Sequence, residues 1–339
     1  MLCQKRKKLH TLGVMLFIVS FSMFLFSCTL HNPSLLFNRS LRIAAGRCAC
    51  QRCIMAPEDD SWFSDKLNHS VHLLLTRTNS ELSNETYRWW QWLQSERNPA
   101  NLSVVVDKLF QVIPGEDDLM DSSPSRCRTC SVVGNSGNLR SSGYGPQIDA
   151  AEIVIRINQA LTEGFEEDVG RKTTHHVMYP ESALDLKSNS TALVLAPFKI
   201  LDLEWIISAL TNGNITYTYM PVMPRIQANK NKVLVYNPAF LKYVHEVWLD
   251  GHGRYPSTGF ISLIFALHIC DEVNVFGFGA DQFGNWHHYW EENLLGQAFR
   301  QTGVHDGDYE YNITQVLSNK GKIRLFKGVN RPLTMEWAD

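Results

Sequence analysis

The stretch VVGNSGNL, residues 132–139, joins the end of a β-branched run to a turn rich in small residues. Such a run predicts a strand, and Gly134 and Gly137 would let backbone N–H groups approach a ligand at its carboxyl end. The turn is neither the G-x-G-x-x-G of dinucleotide-binding folds nor a P-loop, which needs a lysine after its second glycine. Asparagine side chains supply the donors and acceptors that suit a nucleoside. An ordinary tight turn is the alternative.

Around this stretch, short β-branched runs alternate with helical patterns. Strands are predicted at residues 131–135, 152–158, 175–180, 191–198, 216–222, 232–238 and 272–279. Helices are predicted at residues 62–75, 84–96, 102–113, 202–210, 238–249, 257–269 and 309–319. This alternation predicts an α/β domain with a mainly parallel sheet. The segment 257–269 is apolar on nearly every face, so we expect it to be buried.

The N-terminus predicts a membrane anchor. Four basic residues, 5–8, precede an uncharged run from Thr11 to Leu30, which has the length that a membrane helix needs. A cleaved signal peptide is the alternative, but its apolar core is shorter, about 7–15 residues. The positive-inside rule then places the tail in the cytosol and the rest in a lumen. The predicted organisation is a tail at 1–10, an anchor at 11–30, a stem at 31–60 and a lumenal domain at 61–339.

Sequons and cysteines also indicate a lumenal location. Seven Asn-x-Ser/Thr sequons are present, at Asn38, Asn68, Asn84, Asn101, Asn189, Asn214 and Asn312. Apart from Cys3 and Cys28 in the tail and anchor, six cysteines remain, an even number that predicts disulfides. The cluster at 48–53 could instead bind zinc, although no histidine is close to it. With 32 basic and 34 acidic residues, the composition gives no polybasic face for nucleic acid.

Two further stretches carry candidate binding groups. In RYPSTGF, residues 254–260, Ser257 and Thr258 begin a predicted helix, whose N–H groups could bind an anion. Plain helix capping is the alternative. In NWHHYWEE, residues 285–292, aromatic and histidine side chains could form a wall for a sugar or base, or a half-buried structural patch. Adjacent histidines of a strand point in opposite directions, so they seldom bind one metal together.

The stretch GVHDGDYE, residues 303–310, offers two kinds of chemistry. His305 is a candidate general base, because its ordinary pKa lies near neutral pH. Asp306 and Asp308 spell a D-x-D pair that could hold a divalent ion, or they could be acids at the start of a helix. A serine hydrolase is excluded, since the turn around Ser136 lacks the G-x-S-x-G spacing.

Taken in order, these stretches resemble the four motifs of the animal sialyltransferases. The long motif resembles residues 130–180, the short motif 255–281 and the third motif HHYW, residues 287–290. The very short motif, a histidine followed five positions later by a glutamate, falls on His305 and Glu310. Residues 86–96, 197–209, 236–244 and 249–259 look like the branch that places sialic acid α2,3 on the galactose of Galβ1-3GalNAc. The resemblance covers nearly all of residues 48–328.

The resemblance implies a fold, a reaction and a location. The fold would be a single Rossmann-like α/β domain, a variant of the GT-A glycosyltransferase architecture with a seven-stranded twisted sheet flanked by helices. The donor would be CMP-sialic acid and the acceptors Galβ1-3GalNAc-bearing glycoproteins or glycolipids, with inversion of configuration, no cofactor and no metal. The protein would be a single-pass type II glycoprotein of the Golgi membrane, and a second copy of the chain is a candidate partner.

The resemblance also implies roles for individual residues. His305 would be the catalytic base, and His288 would contact the donor phosphate. The implied donor-binding residues are Asn135, Asn158, Tyr179, Tyr219, Ser257, Thr258 and Gly259, and the implied acceptor contacts are Gln94 and Tyr255. The implied disulfides are Cys48–Cys53, Cys50–Cys127 and Cys130–Cys270, although the residues alone do not choose among the pairings of six cysteines.

Two other functions remain open at this stage. A metal-dependent glycosyltransferase would use Asp306 and Asp308 and would lose activity in the presence of a chelator. A non-catalytic membrane lectin would hold glycans on the aromatic residues of 286–290 and would bind the acceptor without turning over a donor.

Overall fold

The computed structural model describes residues 48–56, 60–115, 127–280, 285–292 and 303–328. The predicted tail, the anchor and most of the stem lie outside these residues. No helix within the described ranges is long and apolar enough to cross a membrane. The described residues from Ala49 onward form one compact unit.

One parallel sheet of seven strands organises the described part of this unit. The strands are β1 (Thr129–Val133), β2 (Ile153–Ile157), β3 (His175–Met178), β4 (Ala192–Leu195), β5 (Val233–Val235), β6 (Glu272–Phe276) and β7 (Arg324–Phe326). Their order is β5-β4-β3-β2-β1-β6-β7, and every neighbouring pair is parallel. The α/β class and the parallel sheet that the sequence predicts are therefore confirmed.

Helices flank this sheet. They are α1 (Ser61–Lys66), α2 (Asn84–Leu93), α3 (Leu102–Val112), α4 (Gly145–Asp149), α5 (Glu166–Val169), α6 (Ile200–Ala209), α7 (Pro238–Tyr243), α8 (Thr258–Ile269) and α9 (Gly307–Asn319). A π-helical turn, Val244–Trp248, continues α7. Every residue of α8 except Gly259 is buried, as its uniformly apolar sequence predicts.

The central strands are buried, which fits a parallel sheet covered on both faces. Arg156 of β2 is fully buried, and its guanidinium donates to the carbonyl oxygens of Val169 (2.7 Å) and Lys172 (2.9 Å). Burial lowers the pKa of Arg156 to about 10. The arginine thus ties the loop before β3 to the middle of the sheet.

Three sequence-based assignments differ from the structure. The helix predicted at 62–75 ends at Lys66, and Leu74 forms an antiparallel bridge with Tyr236, so an apolar run that reads as helix covers the sheet edge at β5. The strand predicted at 216–222 is reduced to a bridge between Tyr217 and Pro221, because proline has no N–H with which to extend a ladder. The three-residue β7 was not predicted, since its pattern is too short to read.

Disulfides tie the chain together near the sheet. Cys50 pairs with Cys127 and Cys130 with Cys270, as the resemblance implies. Cys48 and Cys53 are each part of a disulfide as well. Cys130 lies in β1 and Cys270 follows α8, so the second bridge fixes the long motif to the short motif.

Candidate active site

The cleft lies at the carboxyl ends of the strands. Asn135, Asn158 and Tyr179 follow β1, β2 and β3, and the strand order reverses at β1, where open α/β sheets bind ligands. A Cβ on Gly134 would lie only 2.3 Å from the carbonyl oxygen of Gly277. Glycine at position 134 therefore lets the turn after β1 meet the turn after β6.

The structure brings all the predicted catalytic, donor-binding and acceptor-binding residues to this one cleft. Its volume is about 640 Å³. The predicted residues that line it are Gln94, Asn135, Asn158, Tyr179, Tyr219, Tyr255, Ser257, Thr258, Gly259, His288 and His305. Gln94, after α2, and His305, before α9, are 211 positions apart in the sequence. Only folding brings them into the same cleft.

Asn135 and Asn158 differ in the hydrogen-bonding group that they leave for a ligand. The Asn135 amide nitrogen donates to the carbonyl oxygen of Ile157 (3.0 Å), and its buried Oδ1 receives no hydrogen bond from any described residue. The Asn158 backbone adopts a left-handed conformation (φ 58°), and its Oδ1 accepts from the Ser182 hydroxyl (3.0 Å). Asn135 can therefore accept a hydrogen bond from a ligand, and Asn158 can donate one.

The third motif is held against the long motif by backbone hydrogen bonds. Gly137 N donates to the carbonyl oxygen of His287 (2.8 Å), and Tyr289 N donates to that of Asn135 (3.0 Å). The His288 ring stacks on Trp290 with centroids 4.4 Å apart, and its Nδ1 donates to the Glu291 carboxylate (2.9 Å). These contacts fix the plane of the His288 ring at the cleft wall.

The short motif is anchored by Glu310 of the very short motif. Ser257 caps α8, since its hydroxyl oxygen accepts from Phe260 N (3.1 Å). Its hydroxyl proton is donated to Glu310, and Ser257 N also donates to Glu310 (2.7 Å). Burial raises the pKa of the Glu310 carboxyl to about 7. The Ser257 hydroxyl therefore already donates to Glu310 and accepts from Phe260 N. Thr258 and Gly259 line the cleft in the same turn and, in the described part of the chain, do not contact Glu310 through a hydrogen bond of this kind.

Gly259 is not required by the packing of the protein. A Cβ there would lie 3.6 Å from Ser257 Oγ and 3.7 Å from the Phe278 ring, which is ordinary van der Waals contact. Because Gly259 lines the cleft, the missing side chain instead leaves space for a ligand.

His305 is held in the tautomer that suits a base. Its Nδ1 lies 2.8 Å from the backbone carbonyl oxygen of Tyr255, and a carbonyl can only accept, so Nδ1 carries the proton of the neutral ring. The Nε2 atom is then the basic nitrogen. Burial lowers the pKa of His305 to about 4, so the ring is neutral over the pH range of a secretory lumen.

The part of the cleft around the predicted acceptor contacts contains charged residues that the sequence patterns did not indicate. Gln94 Nε2 donates to the Tyr255 hydroxyl (3.1 Å), and Lys199 Nζ donates to Gln94 Oε1 (2.8 Å). Lys199 also forms an ion pair with Glu181 (3.2 Å), another cleft-lining residue. The available signal for Lys199 was its position as a lone charge in the otherwise apolar stretch 197–201.

Two tyrosines flank the same part of the cleft. Burial, followed by the nearby Glu181 carboxylate, raises the pKa of Tyr179 to about 12, so its hydroxyl keeps its proton and can donate. Tyr219 is 53% exposed, and the Lys199 ammonium lies 5.1 Å from the centre of its ring.

Asp306 and Asp308, the D-x-D pair, lie at the start of α9. Asp306 caps α9, where one carboxylate oxygen accepts from Tyr309 N (3.0 Å) and the other pairs with His252 (3.1 Å). Asp308 is exposed in the first turn of α9. Within the described ranges, no group of three or more His, Cys, Asp or Glu side chains could hold a metal ion.

Comparison with known proteins places this geometry in a family. The model of glycosyltransferase family 29 (sialyltransferase) matches residues 74–322. The chain belongs to this sialyltransferase family. The resemblance of the four motifs is therefore confirmed.

Relatives of this sialyltransferase include alpha-2,3-sialyltransferases of two types, 1 and 2. It is 54% identical over 293 residues to the CMP-N-acetylneuraminate-beta-galactosamide-alpha-2,3-sialyltransferase 1 of Sus scrofa, covering 86% of this chain and 85% of that protein. It is 51% identical over 281 residues to the type 2 enzyme of Mus musculus, covering 83% of this chain and 80% of that protein.

Its fold also matches solved structures. A crystal structure of a mammalian sialyltransferase superposes with a TM-score of 0.78 at 53% identity, covering 84% of this chain and 99% of that chain. A second structure, of a mammalian sialyltransferase in complex with Gal-beta-1-3GalNAc-ortho-nitrophenol, has a TM-score of 0.77 at 53% identity and covers 83% of this chain and 100% of that chain.

Proposed function

We propose that this sialyltransferase transfers sialic acid from CMP-sialic acid to the 3-hydroxyl of galactose in Galβ1-3GalNAc, with inversion and without a metal. The observation that carries the proposal is the hydrogen bond from His305 Nδ1 to the Tyr255 carbonyl oxygen (2.8 Å). It holds a basic Nε2 in the same cleft as the predicted donor-binding and acceptor-binding residues. The relatives that act on beta-galactosides, and the complex of a mammalian member with a Gal-beta-1-3GalNAc compound, support the same substrates.

The reaction needs a base and stabilisation of charge. His305 Nε2 removes the proton of the galactose 3-hydroxyl as that oxygen attacks the anomeric carbon from the face opposite CMP. The C–O bond to the phosphate breaks, and the transition state has oxocarbenium character that the carboxylate of sialic acid partly balances. The negative charge that develops on the CMP phosphate is stabilised by the hydroxyls of Tyr179 and Tyr219 and by His288.

The nucleotide and the acceptor occupy different ends of the cleft in this proposal. Cytidine lies between the Asn135 turn and the start of α8, where Gly259 leaves space. The N–H groups at the start of α8 favour the negative charge of the CMP phosphate. The galactose lies against Gln94 and Tyr255. The cleft thus arranges base, donor and acceptor for in-line attack.

The alternatives fit the site less well. The metal-dependent reading needs carboxylates open to an ion, whereas both oxygens of Asp306 already have partners. The lectin reading needs only the aromatic wall, and it gives no role to the His305 tautomer or to the Glu310–Ser257 link.

The proposal also includes the class of glycosyltransferase fold and the cellular location of the domain. The domain, beginning near residue 61, is a Rossmann-like variant of the GT-A architecture. It stands in the Golgi lumen behind the stem and a type II anchor at 11–30, where it meets glycoproteins or glycolipids, and a homodimer is the proposed assembly.

One assay tests the function. The purified lumenal domain is incubated with CMP-sialic acid and a panel of galactosides, with and without chelator, beside the His305→Ala variant. We expect α2,3-sialylated Galβ1-3GalNAc, no effect of chelator, and a loss of about 10²–10⁴-fold in the variant. Undiminished transfer by a folded His305→Ala protein would remove the base assignment, and loss of activity on chelation would favour the metal-dependent reading.

A further inference from the structure

A buried charged cluster lies beneath the acceptor end of the cleft. Lys199 Nζ is surrounded by oxygens of Gln94 (2.8 Å), Glu181 (3.2 Å) and Asp202 (2.6 Å). The side chains of Lys199, Glu181 and Asp202 are 5%, 2% and 0% exposed. Buried charges require partners of this kind, and here one ammonium lies between two carboxylates.

Lys199 determines the polarity of the acceptor-binding groups. Because an ammonium only donates, the Gln94 atom next to it must be the amide oxygen. The Gln94 amide nitrogen therefore faces the Tyr255 hydroxyl, whose oxygen accepts from it (3.1 Å). The Tyr255 proton is left to donate to another group, so Gln94 and Tyr255 together offer hydrogen-bond donors to an acceptor sugar.

Glu181 offers the complementary acceptor atom. Its Oε1 accepts from Lys199 and from the Thr218 hydroxyl. Its Oε2 is buried and receives no hydrogen bond from any residue in the described ranges, which is costly for a carboxylate oxygen. Glu181 lines the cleft with Gln94 and Tyr255, and the terminal torsion of a glutamate is broad, so a small rotation presents Oε2 to a ligand.

We propose that Glu181 is a specificity-determining residue of the acceptor site, whose Oε2 accepts a hydrogen bond from a hydroxyl group of the galactose that is sialylated. The inference rests on the proposed function. A sugar hydroxyl both donates and accepts, so it can donate to Glu181 while its oxygen accepts from Tyr255 or Gln94. A galactoside without that hydroxyl leaves the carboxylate oxygen unpaired, the situation in which enzymes discriminate most strongly.

Two isosteric variants of the cluster separate this role from a structural one. Glu181→Gln keeps an oxygen for Lys199 and Thr218 but replaces Oε2 by an amide nitrogen, which donates. Asp202→Asn removes the same charge from the same ammonium, yet Asp202 lies behind Lys199 and does not line the cleft formed by the described residues. Asparagine keeps the shape of Asp202 and one side-chain oxygen, which can still accept the hydrogen bond from Phe198 N (2.7 Å).

Steady-state kinetics with Galβ1-3GalNAc provide the first readout. For Glu181→Gln we expect an acceptor KM raised about tenfold or more, with the KM for CMP-sialic acid and the melting temperature near those of the wild type. For Asp202→Asn we expect both KM values near the wild-type values. An unchanged acceptor kcat/KM in Glu181→Gln, or an equal rise in Asp202→Asn, would overturn the proposal.

Acceptors whose galactose lacks one hydroxyl provide the second readout. Among analogues that keep the attacking 3-hydroxyl, we expect one monodeoxy galactoside to be a poor substrate of the wild type and to lose little more in Glu181→Gln, because the contact is already absent. Equal losses in both proteins for every analogue would contradict the contact. Failure of the proposed function is distinct, since the wild type would then not sialylate Galβ1-3GalNAc at all.

Discussion

The proton on His305 Nδ1 is held by the backbone carbonyl oxygen of Tyr255, 2.8 Å away, and the two rings meet edge to face with centroids 4.9 Å apart. The base and a predicted acceptor contact thus form one unit. The Tyr255 main-chain carbonyl fixes the tautomer of His305, and the Tyr255 hydroxyl is the predicted contact to the acceptor sugar.

This arrangement predicts an unusual pH profile. Since burial lowers the pKa of His305 to about 4, the base becomes protonated only in that region, far below the ordinary value of 6.5. We expect the acid limb of kcat/KM near pH 4, measured with folding monitored at each pH. Tyr255→Phe is the matched control, because it keeps the carbonyl oxygen. This variant should raise the acceptor KM and leave the acid limb of the kcat/KM profile near pH 4. An acid limb of the wild-type profile near pH 6.5 would contradict a buried neutral base.

Glu310 predicts a pH-dependent contribution to stability. Burial raises its pKa to about 7 in the folded protein from an ordinary 4.5, so the folded state binds this proton more tightly than the unfolded chain. That contribution is fully present below about pH 4.5 and is lost as the pH rises through about 7. Glu310→Gln imitates the neutral carboxyl at every pH. The free energy of unfolding of the wild type minus that of the variant should therefore fall between about pH 4.5 and 7 in denaturant titrations, and a constant difference would count against the shifted pKa.

Substitution by alanine should destabilise the protein at Gly134 and impair donor binding at Gly259. In Gly134→Ala the new Cβ would lie 2.3 Å from the Gly277 carbonyl oxygen, and we expect destabilisation of about 1–3 kcal/mol. In Gly259→Ala the contacts are ordinary, so the melting temperature should stay near that of the wild type. The methyl group would instead enter the cleft and lower kcat/KM for CMP-sialic acid by about 10²-fold. A Gly259→Ala protein with normal donor kinetics would show that cytidine does not approach this turn.

The Cys130–Cys270 bridge joins β1 to the end of α8, and with it the long motif and the short motif, which carry predicted donor-binding residues. Replacing both cysteines by alanine should reduce the free energy of unfolding by about 2–5 kcal/mol and abolish secretion of folded protein. Peptide mapping under non-reducing conditions checks the pairing. Detection of either cysteine in another bridge of the native protein would contradict it.

The acid pair of the very short motif predicts no metal dependence. Asp308 is exposed, so Asp308→Asn should leave kcat and the donor KM within error of the wild type. Asp306→Asn keeps a side chain that caps helices about equally well, so stability should change by less than about 1 kcal/mol. If either variant lost activity that added Mn²⁺ or Mg²⁺ restored, the D-x-D pair would have a metal role after all.

Much of the fold could be read from local patterns. The runs at β1, β2, β3, β4 and β6 are β-branched and bounded by turns, and the sequence of α8 is apolar on every face, so each gives a signal within its own window. The long helix at 62–75 failed because the partner that decides its conformation is distant in sequence: Leu74 meets Tyr236, 162 positions further on. The strand at 216–222 failed for a local reason, since Pro221 has no N–H with which to extend a ladder.

The sequence by itself determined the α/β class, the order of the four motifs, and hence the family and the residues that meet in the cleft. Only the tertiary structure decided what their atoms do. It engages the Ser257 hydroxyl with Glu310 and fixes the His305 tautomer through a main-chain carbonyl. It also places Lys199 between Gln94 and Glu181. The reason is physical: hydrogen-bond polarity and burial arise between groups that folding brings together, and no local pattern of side chains encodes them.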